Sequence, residues 1–459
     1  MSDWKKVKLN KVLKQYRIEH WVQDGKMYKQ VTISKYDGVV YRGEKKGNEI
    51  GRKRQFIIDL DKYPNTLLFV RQGLEDGGIG LAPKEVNQCI ATENMPMFSV
   101  EGIETEYLNI FLKSEVFKAQ VRALEQTGSA QKSIHEKQLM ELEIPLPSVT
   151  EQKELIKKFK TTEEKYSDIL SELTSQQTLI TQLRQSILQE AVQGKLVKQN
   201  KNDEPANELL KRIKAEKEKL IKQGKLKKDL SAKASAKAGK PLPPISENEI
   251  PYQLSEGWVW CRLIDITSVI TCGMASTPIY RESGRMFLSA KNVKPYRFIP
   301  ENYKYVDEET YRKCVTNSKP EKGDILLTRV GAGIGEAAII DREIDFAFYV
   351  SLTLIKPMEI LSEYLLHWLN SSEGTNKAIK YTSGKGGSQG NLNVNEVRKF
   401  VFPLPPLPEQ KRIVEKVNQL MQHCNELEQQ VQQSITHAQH LMQAVLREVF
   451  EKKKEMEQI

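Results

Sequence analysis

The chain has 459 residues, and none of its apolar runs approaches the ~18 residues that a membrane-spanning helix requires. The opening residues, MSDWKKVKLN, lack the apolar stretch of a secretory leader, so a soluble cytoplasmic protein is expected. Cysteine is scarce: five residues, at 89, 261, 272, 314 and 424, with no C-x-x-C spacing. An odd, scattered set argues against a disulfide framework and against a zinc site. The phosphate-cradling pattern G-x-x-x-x-G-K-[ST] is absent, which removes a P-loop ATP site. Gly331, Gly333 and Gly335 form a glycine-rich run, but strand-like EAAII follows it where a dinucleotide site would need a helix; a turn between strands is expected instead. The only Pro-Pro pairs, Pro243-Pro244 and Pro405-Pro406, lack the [DNS]-P-P-[YF] setting in which amino-methyltransferases hold a base. His437 and His440 are two potential metal ligands without a third. No Ser/His/Asp or Cys/His set can be placed, so a binding protein without metal or catalytic residues is expected.

Charge points weakly to a polyanion. The net charge is +10, from 70 basic and 60 acidic residues. Residues 195–240 hold 15 Lys/Arg and six Asp/Glu, a net of +9, which leaves +1 for the other 413. A nucleic-acid face outside that stretch must come from local patches.

The dominant feature is duplication. IPLPSVTEQKELIKKF around Pro145 returns as FPLPPLPEQKRIVEKV around Pro403, at a constant offset of 258. Pro145, Leu146, Pro147, Glu151, Gln152, Lys153 and Lys158 recur as Pro403, Leu404, Pro405, Glu409, Gln410, Lys411 and Lys416, and the match runs ungapped to Glu190/Glu448. The same offset pairs Leu68/Leu326, Arg71/Arg329, Gly73/Gly331, Gly128/Gly386 and Gln131/Gln389, while 3–12 resembles 257–266 at an offset of 254. The chain is therefore two copies of one unit: a mixed α/β domain, a proline-rich elbow and a long helix. QVTISKYDGVV, QFIIDL, TLLFVRQ, DILLTRV, AAII and FAFYVSLTLI read as strands, and 106–124 and 363–373 as amphipathic helices.

Each long helix carries a heptad seam in the same register. Phe159, Thr162, Tyr166, Ile169, Leu173, Gln176, Ile180, Leu183, Ile187 and Glu190 correspond to Val417, Leu420, Cys424, Leu427, Val431, Ser434, Ala438, Leu441, Val445 and Glu448. Such stripes want partner helices, and the intervening linker lets the two pair antiparallel. The expected fold is mixed α/β, with two similar domains joined by an antiparallel coiled coil in pseudo-two-fold symmetry. The expected divisions are 1–147, a long helix at 148–197, a basic helix and linker at 198–245, 246–405, and a second long helix at 406–459.

The junctions PLP-x-x-x-EQK, LRQSILQEAVQGKLV (183–197), DEPANELLKRIKAEKEKLI (203–221) and KPLPPI…EGWVWCRLIDI (240–266) resemble the specificity subunits of Type I restriction-modification systems. The resemblance covers the whole chain. The first domain departs from it in lacking the W-x-W-x-x-L-x-D start seen at 258–265. It implies that each globular domain is a target-recognition domain for one half of a split double-stranded DNA site. It implies that the helices space the readers and dock two methyltransferase subunits, and that up to two restriction subunits join. S-adenosylmethionine and ATP with magnesium would then belong to those partners, and this chain would be non-catalytic. Half-sites about one helical turn apart are expected.

Base and phosphate contacts call for Arg, Lys, Asn, Gln or Ser at a groove. Candidates are Arg42, Lys45, Lys46, Arg52, Lys53, Arg54, Arg71 and Gln131 in the first domain, and Arg281, Arg285, Lys291, Lys294, Arg329, Ser388, Gln389 and Asn391 in the second. Features shared by both copies cannot encode different half-sites, so Arg71/Arg329 and Gln131/Gln389 are expected to shape the fold or hold phosphate. Two other readings are an enzyme with a degenerate site and a coiled-coil scaffold with no DNA role.

Overall fold

A computed structural model describes residues 4–34, 38–74, 77–124, 133–226, 243–316, 319–384 and 390–450. It divides into two compact units: residues up to Ser175 together with those from Val431 onward, and residues Gln176–Gln430. Both boundaries fall inside a long helix. Among the described residues no helix is long and apolar enough to cross a membrane.

The first unit is built on a four-stranded antiparallel sheet in the order Leu13–Tyr16, Met97–Val100, Thr66–Phe69, Ile79–Leu81. Its two central strands, TLLF and MFSV, are buried at every position, which is why they read as runs rather than alternations. Leu67, Phe69 and Phe98 pack with Leu108 and Phe111 of the helix Thr105–Lys113. The single helix expected at 106–124 is instead two, Thr105–Lys113 and Glu115–Ala123, broken at Ser114. The Ser114 backbone is extended, its hydroxyl donates to the Phe111 carbonyl at 2.6 Å, and the Phe117 N–H donates to it at 3.3 Å. A serine that ends one helix and caps the next outweighs the continuous apolar period.

The second unit repeats this frame. Its sheet runs Thr267–Cys272, Leu352–Pro357, Ile325–Thr328, Ala337–Ile339. Ser371 breaks Ser362–Asn370 from Ser372–Lys380 as Ser114 does in the first copy. The glycine run Gly331–Gly335 is the turn joining two antiparallel strands, with Gly331 and Gly335 both near φ +95°. The expected strand FAFYVSLTLI is two strands, Phe346–Phe348 and Leu352–Pro357, in different sheets.

The elbow explains the Pro-Leu-Pro…Glu-Gln motif. In each copy the first strand pairs with the one entering the elbow: Lys6–Lys8 with Glu143–Pro145, and Val259–Arg262 with Val401–Leu404. Gln152 and Gln410, 1% and 0% exposed, then clamp the turn. Gln152 accepts from the Glu104 N–H at 2.9 Å and donates to the Pro147 carbonyl at 2.8 Å. Gln410 accepts from the Leu361 N–H at 3.0 Å and donates to the Pro405 carbonyl at 3.0 Å. Tyr107 and Tyr364 donate to the Pro145 and Pro403 carbonyls at 2.9 and 3.1 Å. The Pro147 and Pro405 carbonyls need such donors, because there the chain has left the sheet ladder before the helix ladder begins. Ser148 and Glu151 add a reciprocal cap to the first long helix. Pro406, in the place of Ser148, has neither hydroxyl nor N–H, so Glu409 is buried instead and burial raises its carboxyl pKa.

Gln410→Ala leaves the Leu361 N–H and the Pro405 carbonyl unsatisfied in a dry site, at ~1–3 kcal/mol for each group. Chemical denaturation is expected to show a loss of about 2–4 kcal/mol. A loss below about 0.5 kcal/mol, the scale of an ordinary surface substitution, would show that the clamp does not hold the elbow.

The long helices are Val149–Val192 and Leu407–Phe450, each 44 residues and therefore about 66 Å long. They pair antiparallel. In the first unit Lys158 meets Glu448 at 3.5 Å, and Ile156, Phe159, Leu446 and Phe450 share the domain core. In the second, Arg184 reaches Glu428 and Asn425, both at 2.7 Å.

Of the two seam positions, one is buried. Phe159, Leu173, Ile180, Ile187, Val417, Cys424, Val431 and Ala438 are at most 9% exposed, with Tyr166 and Val445 half-buried. The other position stays open: Leu420 is half-buried, while Ile169, Leu183, Leu427 and Leu441 are 45, 44, 44 and 61% exposed. Two helices in contact bury one stripe each.

One buried histidine supplies a pH test. His367, 3% exposed on the helix Ser362–Asn370, has the Tyr296 hydroxyl 3.2 Å from Nδ1, and among the described residues its Nε2 has no hydrogen-bond partner. Burial pulls its pKa from 6.5 down to about 4, so the fold holds the neutral ring. Because the folded value is depressed, this stability is complete above about pH 6.5 and is lost as the pH falls towards 4. Between pH 7 and pH 5 the loss is about 2 kcal/mol. The first copy carries Ile110 in the corresponding place. His367→Ile is expected to flatten the pH dependence of thermal unfolding over this range; an undiminished slope would remove the assignment.

Candidate nucleic-acid interface

The shared arginines of the two copies, Arg71 and Arg329, face inward. Just beyond the strands Thr66–Phe69 and Ile325–Thr328, Arg71 and Arg329 hold the returning chain by one hydrogen bond that both copies share. The Ile134 N–H donates to the Arg71 carbonyl at 2.9 Å, and the Leu392 N–H to the Arg329 carbonyl at 2.8 Å, the same 258-residue offset. The Arg329 side chain is 7% exposed. It donates to the Leu392 carbonyl at 2.7 Å, the Val350 carbonyl at 2.9 Å and Asn391 Oδ1 at 2.6 Å. Arg71 meets Glu136 at 2.6 Å, with both side chains at most 20% exposed, and Arg17 approaches the same carboxylate at 3.5 Å. Asn391 lies at the surface but its amide oxygen is committed to Arg329. Gln131, Ser388 and Gln389 lie outside the described residues.

Where the copies differ, a second sheet stands beside the shared frame. In the first unit it has five strands, ordered Glu19–Trp21, Arg54–Ile57, Ile90–Ala91, Met27–Ser34, Gly38–Lys46. In the second it has three, ordered Lys304–Val306, Arg285–Leu288, Phe346–Phe348. Most of this material comes from residues 17–65 and 273–324, which follow corresponding strands of the frame and share no aligned motif.

Five of the candidate cations, Arg42, Lys45, Lys46, Arg54 and Arg285, sit on strands of these unlike sheets. Arg42, Lys45 and Lys46 are exposed on the far half of the edge strand Gly38–Lys46, with Lys46 opposite Met27 and Lys45 opposite Tyr28. Arg54 is opposite Trp21 on the other side of the sheet and pairs with Glu19. Lys53 meets Asp24 at 2.5 Å, and Arg52, 74% exposed, lies 3.7 Å from Glu93. In the second unit Arg281 meets Asp307 at 3.1 Å, Arg285 meets Glu308 at 2.6 Å and Lys294 meets Glu336 at 3.0 Å, while Lys291 is exposed. Such exposed pairs hold only ~0–1 kcal/mol, so these cations can turn to a phosphate at little cost. The three internal hydrogen bonds of Arg329 cannot be released so cheaply.

Sequence reasoning overlooked the exposed apolar and aromatic groups among these cations: Trp21 at 64%, Met27 at 52%, Tyr41 at 43%, Ile279 at 71% and Tyr280 at 39%. Their signal was apolar residues inside polar, turn-rich stretches such as MASTPIYRESG, where periodicity does not assign them to a core. Among the described residues no three His, Cys, Asp or Glu side chains are grouped to hold a metal ion.

A family model described as the Type I restriction modification DNA specificity domain matches residues 255–437, which span the second domain and most of the second long helix. The specificity subunit of type I restriction enzyme EcoEI from Escherichia coli is 26% identical, over 90% of this chain and 76% of its own length. That of EcoAI, from the same species, is 32% identical over 57% of this chain and 43% of its own length. A solved chain from work on complex assembly and conformational transition of the type I R-M system superposes with a TM-score of 0.59 at 18% identity, covering 97% of each chain, a likeness of fold. The duplicated frame, the paired 44-residue helices and these matches agree in one respect: the chain is similar to the specificity subunits of Type I restriction-modification enzymes.

Proposed function

We propose that this chain reads a bipartite, asymmetric DNA site, residues 1–147 reading one half and 246–405 the other. One observation carries the reading: two copies of one frame bear unlike second sheets, each with exposed cations. Identical readers would select identical half-sites. On this reading the unlike sheets contact base edges and nearby phosphates, Arg42, Lys45, Lys46, Arg52, Lys53, Arg54, Arg281, Arg285, Lys291 and Lys294 serve the DNA, and Arg71 and Arg329 hold the frame. The long helices, 148–197 and 406–459, set the gap between half-sites, and 198–245 joins the copies. Two methyltransferase subunits dock on the chain and carry S-adenosylmethionine for adenine-N6 methylation. Up to two restriction subunits, using ATP and magnesium, complete the assembly. The specificity subunit itself supplies recognition and no bond-breaking chemistry.

The test is to produce the chain with its methyltransferase in an unmethylated host and map N6-methyladenine across the genome. A split motif with unlike halves and a fixed gap is expected. A verified complex that yields no motif would overturn the reading and favour a scaffold.

A further inference from the structure

Residues 273–284 join the frame strand Thr267–Cys272 to the strand Arg285–Leu288 of the second sheet as a loop pinned at both feet. At one foot the Met274 N–H donates to the Phe348 carbonyl at 3.0 Å, and the Val350 N–H donates to the Met274 carbonyl at 2.9 Å. At the other, the Arg281 N–H donates to the Tyr305 carbonyl at 2.9 Å and its guanidinium meets Asp307 at 3.1 Å. Between them Tyr280 packs edge-on against Phe287 and carries the Lys304 ammonium 3.9 Å from its ring centroid. The crest of this held loop presents Ile279 at 71% exposure, above every other exposed large apolar side chain among the described residues. No aligned motif of the first copy corresponds to it; there the chain goes into the strand Glu19–Trp21.

We infer that Ile279 is a specificity-determining residue of the second half-site and packs against the C5 methyl group of a thymine in the major groove. This rests on the DNA-reading role proposed above. The thymine methyl is the apolar feature that the groove offers, and a branched aliphatic side chain on a preformed loop recognises it without a hydrogen bond. The setting fits DNA better than a protein surface. Ile279 stands next to Tyr280, whose ring carries the Lys304 ammonium, and two residues before Arg281, so the apolar crest is small and set among cations, whereas a protein partner would require a continuous apolar patch. Lys304 and Arg281 lie where phosphates would flank the groove, and Ile279 then contacts its floor.

The test uses the intact complex with its methyltransferase. The wild-type motif is mapped first. Duplexes are then made with deoxyuridine replacing each thymine of the second half-site in turn, which deletes only the methyl group. Wild type is expected to bind one such duplex about fivefold more weakly, within the range set by single base-pair changes. Ile279→Ala should bind the unmodified duplex about fivefold more weakly than wild type and be indifferent to uracil at that one position. Its thermal unfolding should match wild type, since the side chain is exposed. Wild type tolerating uracil everywhere, or Ile279→Ala keeping wild-type affinity or the uracil penalty, would overturn the inference and leave the DNA-reading role standing. A wild-type complex without any bipartite motif would overturn both.

Discussion

Replacing residues 1–147 with a second copy of 246–405 is expected to yield a complex that methylates a site with two equal halves, each the second half-site of the parent. The graft joins at Pro-Leu-Pro in both copies, and Gln152 and Gln410 make the same two hydrogen bonds beyond it, so the elbow receives either domain. The unlike sheets travel whole, each with its own core: Val31, Val39, Phe56 and Ile58 against Leu68 and Met97 in one, and Leu288, Val293, Phe298 and Phe346 against Leu326 and Leu354 in the other. Moving only 17–65 would mismatch those surfaces. Affinity for the parental site is expected to fall by about 10³-fold or more, towards non-specific binding, because half of the sequence-reading contacts are gone. Genome-wide N6-methyladenine mapping gives the readout, and the retained second half-site is an internal control for folding. If the parental first half-site persisted, its readers would lie outside residues 1–147.

Arg329→Met is expected to act on folding and not on DNA affinity alone. The guanidinium satisfies the Leu392 and Val350 carbonyls and Asn391 Oδ1 at 2.6–2.9 Å from a position 7% exposed. Methionine fills the volume and supplies no donor. Stranding these acceptors costs about 3–5 kcal/mol, at the severe end for a single substitution. Arg329→Lys keeps the charge, but one ammonium cannot reproduce three directed bonds, so only partial recovery is expected. Arg52→Met offers the contrast. Its pair with Glu93 spans 3.7 Å at an exposed site, so stability should stay within about 0.5 kcal/mol while the salt dependence of DNA binding weakens by about one phosphate contact. Urea unfolding of both variants separates the cases. Should Arg329→Met unfold like wild type and lose only DNA affinity, Arg329 would be a phosphate ligand.

Sequence alone determined a good deal here. The 258-residue offset announced the duplication, and the prolines at 145, 147, 403 and 405 located both elbows. The heptad spacing set the length and register of helices that are each 44 residues long. These features are local or periodic, and periodicity reports which face of an element is apolar whatever covers it. Tertiary structure decided the rest. It buries Leu173 and Ile180 and leaves Ile169 and Leu183 at the surface, because the number of partner helices, not the stripe, sets how many seam positions close. It breaks each expected amphipathic helix of the globular domains, 106–124 and 363–373, at Ser114 or Ser371, where a hydroxyl satisfies two helix ends at once. It turns Arg329 inward and Arg52 outward, although both are arginines in polar, turn-rich sequence, because acceptors converge on one and solvent surrounds the other. It also gathers residues 17–65 and 273–324 into unlike sheets on one repeated frame, since strand pairing joins segments that no local pattern connects.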